Sequence, residues 1–242
     1  MKTFVKRGDA AVLRAEAEGL LMLAMTNTIR VPRVFELHED RLVLEWLDFA
    51  QPDAGFGERF GRALAALHAI PFDEPFGWLA DNFIGATPQV NTRSEDWPTF
   101  WRESRLHPML ARLRDPELAK AVGAAIDAIP SLFQDGYEPR ASLIHGDLWS
   151  GNWGMLADGT PVIYDPCVSY SDAEADVAMM ELFGSPPTGF RQGYGSPQAG
   201  YARRKHLYQL YHLLNHAVLF GGGYRQQSLR CAEALADLQR RG

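Results

Sequence analysis

The stretch 143-LIHGDLWSGNWG-154 sets a histidine, an aspartate and an asparagine within eight positions, with a tryptophan and glycines among them. Its apolar start reads as a short strand that breaks into a polar loop. Asp147 and Asn152 are five residues apart. After an Asp158-Gly159 turn, a second short apolar run, 161-PVIYDP-166, ends on Asp165, thirteen residues beyond Asn152. Two neighbouring strands would thus bring three oxygen-bearing side chains to one edge. The plain alternative is an Asx-rich turn whose aspartates cap local backbone. The strand closing on Asp165 weighs against it.

Phosphoryl transfer from a nucleotide needs metal ligands for the phosphates, a carboxylate at the acceptor hydroxyl and a cation on the non-reacting phosphates. An Asp, an Asn five residues on, and an Asp at the end of the next strand match the kinase signature. Asp147 is the candidate catalytic base, and Asn152 and Asp165 are the candidate ligands for Mg²⁺, which prefers oxygen.

Working towards the N-terminus, 3-TFVKR-7 reads as a strand, and Asp9 as the cap of a helix over roughly 10–25 carrying Leu13, Ala17, Leu20, Leu21 and Ala24. Lys6 on the strand and Glu16 on the helix would form the phosphate clamp. Glu18 is the rival partner, but it lies on a different face. Residues 31–47 read as two strands with a polar turn at 38–41. The Glu45 carbonyl and the Leu47 N–H, flanking Trp46, would bond the adenine of ATP; the plain alternative is a core strand.

Beyond the turn-rich 51-QPDAGFG-57 comes a helix over 58–70, then a long irregular stretch over 71–98. Helices are expected over 99–113 and 115–133, the second capped by Asp115 with Pro116 at its first position. Further helices are expected over 172–183 and 201–219. This order defines an α+β chain with a small mixed lobe and a large, mainly helical lobe.

The composition narrows the function. The chain has 242 residues, 46% of them hydrophobic, which suits a packed globular protein. A net charge of −6 and the lack of a basic block argue against nucleic-acid binding. The longest apolar stretch, 19-GLLMLAM-25, is too short to span a bilayer, so no membrane association is expected. No signal peptide is read at the N-terminus. Cys167 and Cys231 form no disulfide framework and fit a cytoplasmic setting.

The segments HGDLWSGN, PVIYDPCVSYSDAEADVAMMELFG, LYQLYHLLNHAVLFGGGY, FGWLADNFIGATPQVN and WPTFWRESRL resemble the fructosamine kinase (ketosamine 3-kinase) family over nearly the whole chain. Trp149, Ser150 and Gly151 separate it from the broader aminoglycoside phosphotransferase-like group. The resemblance implies a protein-kinase-like two-lobe fold, with residues 1–47 as a truncated N-terminal lobe and 48–242 as the C-terminal lobe. It implies ATP- and Mg²⁺-dependent phosphorylation of the sugar 3-hydroxyl of fructosamines or ribulosamines, on small amines or protein lysines, in deglycation repair. By motif position the base falls on Asp147, the metal ligands on Asn152 and Asp165, and the phosphate lysine on Lys6. Trp149 would lie against the sugar; its alternative is a core tryptophan.

Two features depart from the family pattern. Members carry two strands and a glycine-containing phosphate loop before the lysine strand, whereas here the sequence starts at that strand; Gly221–Gly223 lacks a phosphate-loop context. Cys167 stands where alanine is usual and is expected to be a buried, inert thiol. Three readings follow: an upstream start, a short form completed by dimerisation, or a kinase-like binding protein without turnover. An aminoglycoside- or choline-type phosphotransferase is a further alternative.

His145 is read as a loop support or substrate neighbour. Asn82, Gln89 and Asn91 are read as hydrogen-bonding either the substrate or their own loop. His212 and His216 have zinc-compatible spacing but sit in an aromatic, leucine-rich helix and are read as core.

Overall fold

Val5 and Phe4 favour extended chain, and Gly8 and Asp9 end it, which gives strand β1 (Thr3–Arg7). The Asp9 carboxylate then accepts from the N–H groups of Ala11 and Val12, at 2.8 and 3.4 Å, and caps helix α1 (Ala10–Met25). Strands β2 (Val34–Leu37) and β3 (Arg41–Glu45) are joined by the turn expected at 38–41, closed by the His38 N–H on the Arg41 carbonyl at 2.8 Å. The chain continues through β4 (Phe49–Ala50), α2 (Phe56–His68), β5 (Asn82–Ile84), β6 (Thr87–Gln89) and α3 (Trp97–Trp101). A π-helical turn (Arg102–Leu106), α4 (His107–Leu113), α5 (Pro116–Ala128) and a 3₁₀ turn (Ile129–Phe133) follow. Then come β7 (Ser142–Ile144), β8 (Trp153–Leu156), β9 (Pro161–Ile163), β10 (Ser169–Ser171), α6 (Glu174–Met180), α7 (Phe190–Tyr194), α8 (Tyr201–Phe220) and α9 (Gly223–Arg241). This computed structural model describes residues 2–241.

The expected irregular stretch 71–98 holds the antiparallel β5–β6 hairpin, which turns at Gly85 with a φ of 59°. Its three-residue strands, one containing Pro88, are too short to show an alternating pattern. The helix expected over 99–113 is broken into α3, a π turn and α4, and α7 and α9 add helices where none was expected. Asp115 does cap α5, accepting from the Leu118 N–H at 3.1 Å.

The chain forms two compact units. The first takes residues 1–73, 142–169 and 180–196, so it contains the expected segment 1–47 and adds parts of the segment after it. Its first sheet is antiparallel, in the order β1-β3-β2, with Lys6 opposite Leu42. Leu42 and Leu44 of β3 and Leu13, Ala17, Leu20 and Leu23 of α1 are buried, so the helix covers the sheet with its apolar stripe. A second antiparallel sheet, β4-β8-β9, pairs Trp153 with Ile163 and Met155 with Pro161. Trp153 packs against both Phe56 and Phe60 of α2, with ring centroids 5.8 and 5.4 Å away. The α2–α7 crossing is very tight: a β-carbon on Gly57 or Gly61 would fall 2.0 Å from the Thr188 carbonyl oxygen or 2.2 Å from that of Phe190.

The second unit takes residues 74–141, 170–179 and 197–242. Trp97, Trp101 and Tyr208 pack edge and face in its core, the indoles 5.1 Å apart and Trp101 5.2 Å from Tyr208. Arg204 is fully buried and makes a two-pronged pair with Glu174 at 2.7 and 2.9 Å.

Candidate active site

The candidate site in the first unit is assembled from three distant pieces of sequence. β1 presents Lys6 and α1 presents Glu16, one of whose carboxylate oxygens receives the Lys6 ammonium at 2.7 Å. Lys6 also reaches Asp165 at 3.0 Å. Glu16 is buried while Glu18 is exposed, so the helical phase selects the partner. α1 comes close to the Asp165 loop because Gly19 has no side chain: a β-carbon there would lie 3.2 Å from the Pro166 ring.

Charge balance follows from this arrangement. Burial works against the Lys6 ammonium, but Glu16 and Asp165 outweigh it and hold its pKa above the usual lysine value. Burial pushes the Glu16 carboxyl up to about 6, against the pull of Lys6. Asp165 has a φ of 57°, a left-handed conformation unusual outside glycine and tolerated by aspartate.

The loop after β7 is held by its own polar groups. The Asn152 side-chain N–H₂ donates to the Asp147 carbonyl at 2.8 Å and to its carboxylate at 3.3 Å. Gly146 has a φ of 86°, and a β-carbon there would fall 2.2 Å from the Cys167 carbonyl oxygen, so only glycine fits. The Cys167 N–H in turn donates to the His145 carbonyl at 2.9 Å, and Cys167 is a buried free thiol.

His145 faces inward and supports its own loop. It is fully buried; one ring nitrogen meets the Tyr164 carbonyl at 2.8 Å and the other the Asp147 N–H at 3.2 Å. It ties the Asp147 loop to the segment after β9 that carries Asp165. Trp149 is 40% exposed, which excludes the core alternative. Its indole lies over Gly151, where a β-carbon would come within 2.3 Å of the ring.

Strand β3 ends at Glu45, and residues 46–48 leave the strand ladder. The Glu45 side chain accepts from the Arg30 guanidinium and, at 3.1 Å, from the Arg33 N–H. Burial opposes its charge, but these donors hold its pKa below the usual range. Trp46 is exposed, its indole N–H on the Asp48 carboxylate at 2.9 Å, and Leu47 is partly buried.

Asn82, Gln89 and Asn91 are brought together in the second unit, but inward. All three are buried, and the Asn82 amide oxygen accepts from both Gln89 and Asn91 at 2.8 Å. Arg105 donates to Asn91 at 3.0 Å and the Tyr211 hydroxyl to Gln89 at 2.7 Å. The hairpin's own hydrogen bonds therefore account for them, rather than an exposed ligand surface. Sequence reading missed Arg105 and Tyr211, whose spacing gave no signal. His212 is buried, as expected of a core residue, while His216 is partly buried and donates its Nδ1–H to the His212 carbonyl at 2.8 Å.

Asn152 and Asp165 offer the hard oxygen donors that suit Mg²⁺. The amide nitrogen of Asn152 is committed to Asp147, which leaves its oxygen as the available donor. Among the described residues no three His, Cys, Asp or Glu side chains gather as a metal cage. Two protein ligands completed by nucleotide phosphates need none.

This combination of a clamped lysine, an Asp–Asn loop and a second aspartate on a mixed α/β frame is that of the kinase-like phosphotransferases. Residues 2–237 match the family model described as fructosamine kinase, and the chain belongs to that family. It is 45% identical over 244 aligned positions to a "probable ketoamine kinase" of Synechocystis, covering 94% of this chain and 80% of that protein. It is 39% identical to the Arabidopsis thaliana protein-ribulosamine 3-kinase, over 90% of this chain and 70% of that one. The crystal structure of a Thermobifida fusca protein, provisionally described as a fructosamine-3-kinase, superposes with a TM-score of 0.87 at 33% identity, covering 97% of this chain and 85% of that one. A macrolide 2'-phosphotransferase of Brachybacterium faecium, at 18% identity and a TM-score of 0.57, shares the fold.

Proposed function

We propose that this protein is a ketosamine kinase that transfers the γ-phosphoryl group of ATP to the sugar 3-hydroxyl of a fructosamine or ribulosamine. The observation that carries the reading is the meeting of Lys6 with both Glu16 and Asp165 beside the Asp147–Asn152 loop. Lys6, oriented by Glu16, neutralises the non-reacting phosphates. Backbone groups at Glu45 and Leu47 bond the adenine edge, flanked by Trp46. Asn152 and Asp165 would hold Mg²⁺, which when bound offsets the charge that builds on the phosphate oxygens.

Asp147 accepts the proton of the acceptor hydroxyl as that oxygen bonds to the γ-phosphorus and the bond to the ADP oxygen breaks. His145 fixes the loop that carries Asp147, and the exposed indole of Trp149 supplies an apolar platform for the C–H face of the sugar. The family membership supports a role in deglycation. The two free cysteines accord with a cytoplasmic setting.

The test is turnover on fructosyl-lysine with MgATP. Asp147→Asn should lower kcat by roughly 10²–10⁴-fold with an unchanged circular dichroism spectrum. Full activity in that variant would remove Asp147 from the role.

A further inference from the structure

The two faces of the sheet β4-β8-β9 have different neighbours. Side chains alternate along a strand. Trp153 points to the face that packs on Phe56 and Phe60 of α2. Gly154, the next residue of β8, therefore points to the other face, and so does Asn152 on the far side of Trp153. The ladder runs on to Asn152, whose carbonyl accepts the Tyr164 N–H at 3.0 Å. Asn152 is the magnesium ligand of the reading above, so this second face is the one turned to the nucleotide.

Gly154 leaves that face without a side chain, and Phe49 of β4 fills the place. A β-carbon on Gly154 would lie 2.8 Å from two carbons of the Phe49 ring. The same ring is 5.5 Å, centroid to centroid, from Tyr164, which stands across from Asn152. These contacts put Phe49 on the Asn152 side of the sheet. Yet Phe49 is 52% exposed, although burial of its ring would have stabilised the fold. Its position gives the exposed ring a use. Gly154 is two residues from Asn152, roughly 7 Å along the strand, about the span of the ribose that joins phosphates to base. Phe49 is also two residues beyond Leu47, in the segment whose backbone bonds the adenine edge. A base held there by its edge meets the Phe49 ring with its face.

We propose that Phe49 is the platform on which the nucleotide base stacks, and that Gly154 is small because the ring takes its place. This assignment rests on the ATP reading and adds an affinity-determining residue to it. Stacking on an aromatic ring tolerates any base, so Phe49 supplies affinity while the Glu45 and Leu47 backbone selects adenine. Trp46, the other exposed aromatic of this segment, turns its indole N–H to Asp48 at 2.9 Å.

The test is calorimetry with MgADP on the full chain, joined to steady-state kinetics on fructosyl-lysine. Phe49→Ala should weaken MgADP about tenfold, the scale of a lost base–aromatic stack, and Phe49→Tyr should keep the wild-type affinity. The stack is the same before and during phosphoryl transfer, so Phe49→Ala should raise the KM for ATP and leave kcat at saturating ATP unchanged. The position is exposed, and the thermal midpoint of nucleotide-free Phe49→Ala should stay at the wild-type value. Wild-type MgADP affinity in Phe49→Ala, or a loss in Phe49→Tyr as large as in Phe49→Ala, would overturn the platform. A kcat that falls with the affinity would overturn it too, by making Phe49 a support of the Asn152 loop. Absence of MgADP binding by the wild type would instead overturn the ATP reading itself.

Discussion

Gly151 and Trp149 separate a binding role from a folding role. A β-carbon on Gly151 would meet only the far edge of the exposed Trp149 ring, so Gly151→Ala should displace the indole and leave stability within about 0.5 kcal/mol. We expect the KM for the ketosamine to rise severalfold while the KM for ATP stays constant; steady-state kinetics with each substrate varied will show it. His212 gives a pH effect. Burial holds its pKa down to about 3, against about 6.5 in the unfolded chain. Below pH 6.5 the unfolded state binds a proton that the folded state refuses. Stability is therefore full above that pH and falls towards pH 3, by at most about 1.4 kcal/mol per pH unit. Urea unfolding at pH 7, 5 and 4 should show a shallower decline in His212→Gln. Lys6, Glu16, Asp147, Asn152 and Asp165 were legible because strand, helix and loop spacing place them without reference to the rest of the fold. The inward turn of Asn82, Gln89 and Asn91 was not, since their partner Tyr211 lies 122 residues from Gln89.

Helices α1 and α5 and strand β3, with their spaced apolar residues, and the long apolar and aromatic α8 could be read directly. Those made by packing could not. Helix α7 spans five residues, Phe190–Tyr194, and exists because α2 lies against it, with Gly57, Gly61 and Gly193 letting the two backbones touch. No pattern in 190-FRQGY-194 announces that. Because the obstructing atoms are backbone oxygens, Gly57→Ala cannot be relieved by a rotamer change. We expect a loss of about 3 kcal/mol in denaturant unfolding, at the upper end of ordinary overpacking costs. The β5–β6 hairpin is similar: its short strands carry no period, and its order derives from the amide network beneath it.

Across the whole chain, a ligand that binds only the folded state raises its stability, by about 2.7 kcal/mol at a hundred times its Kd. MgADP should thus raise the thermal midpoint of the wild type, and Lys6→Met should lose most of that rise without losing the fold; equal shifts in both proteins would separate Lys6 from the nucleotide. Short strands among many helices were foreseeable as an α+β chain, but the division into units that interleave along the sequence was not, because chain order does not encode which segments return. The pinning of Lys6 between two carboxylates also bears on the working lifetime of the protein. A sugar aldehyde condenses only with an unprotonated amine. Glu16 and Asp165 keep the Lys6 amine in its charged form, so the lysine of this site is a poor nucleophile towards sugar aldehydes. The same contacts that orient the cation protect it from the damage that gives this family its substrates.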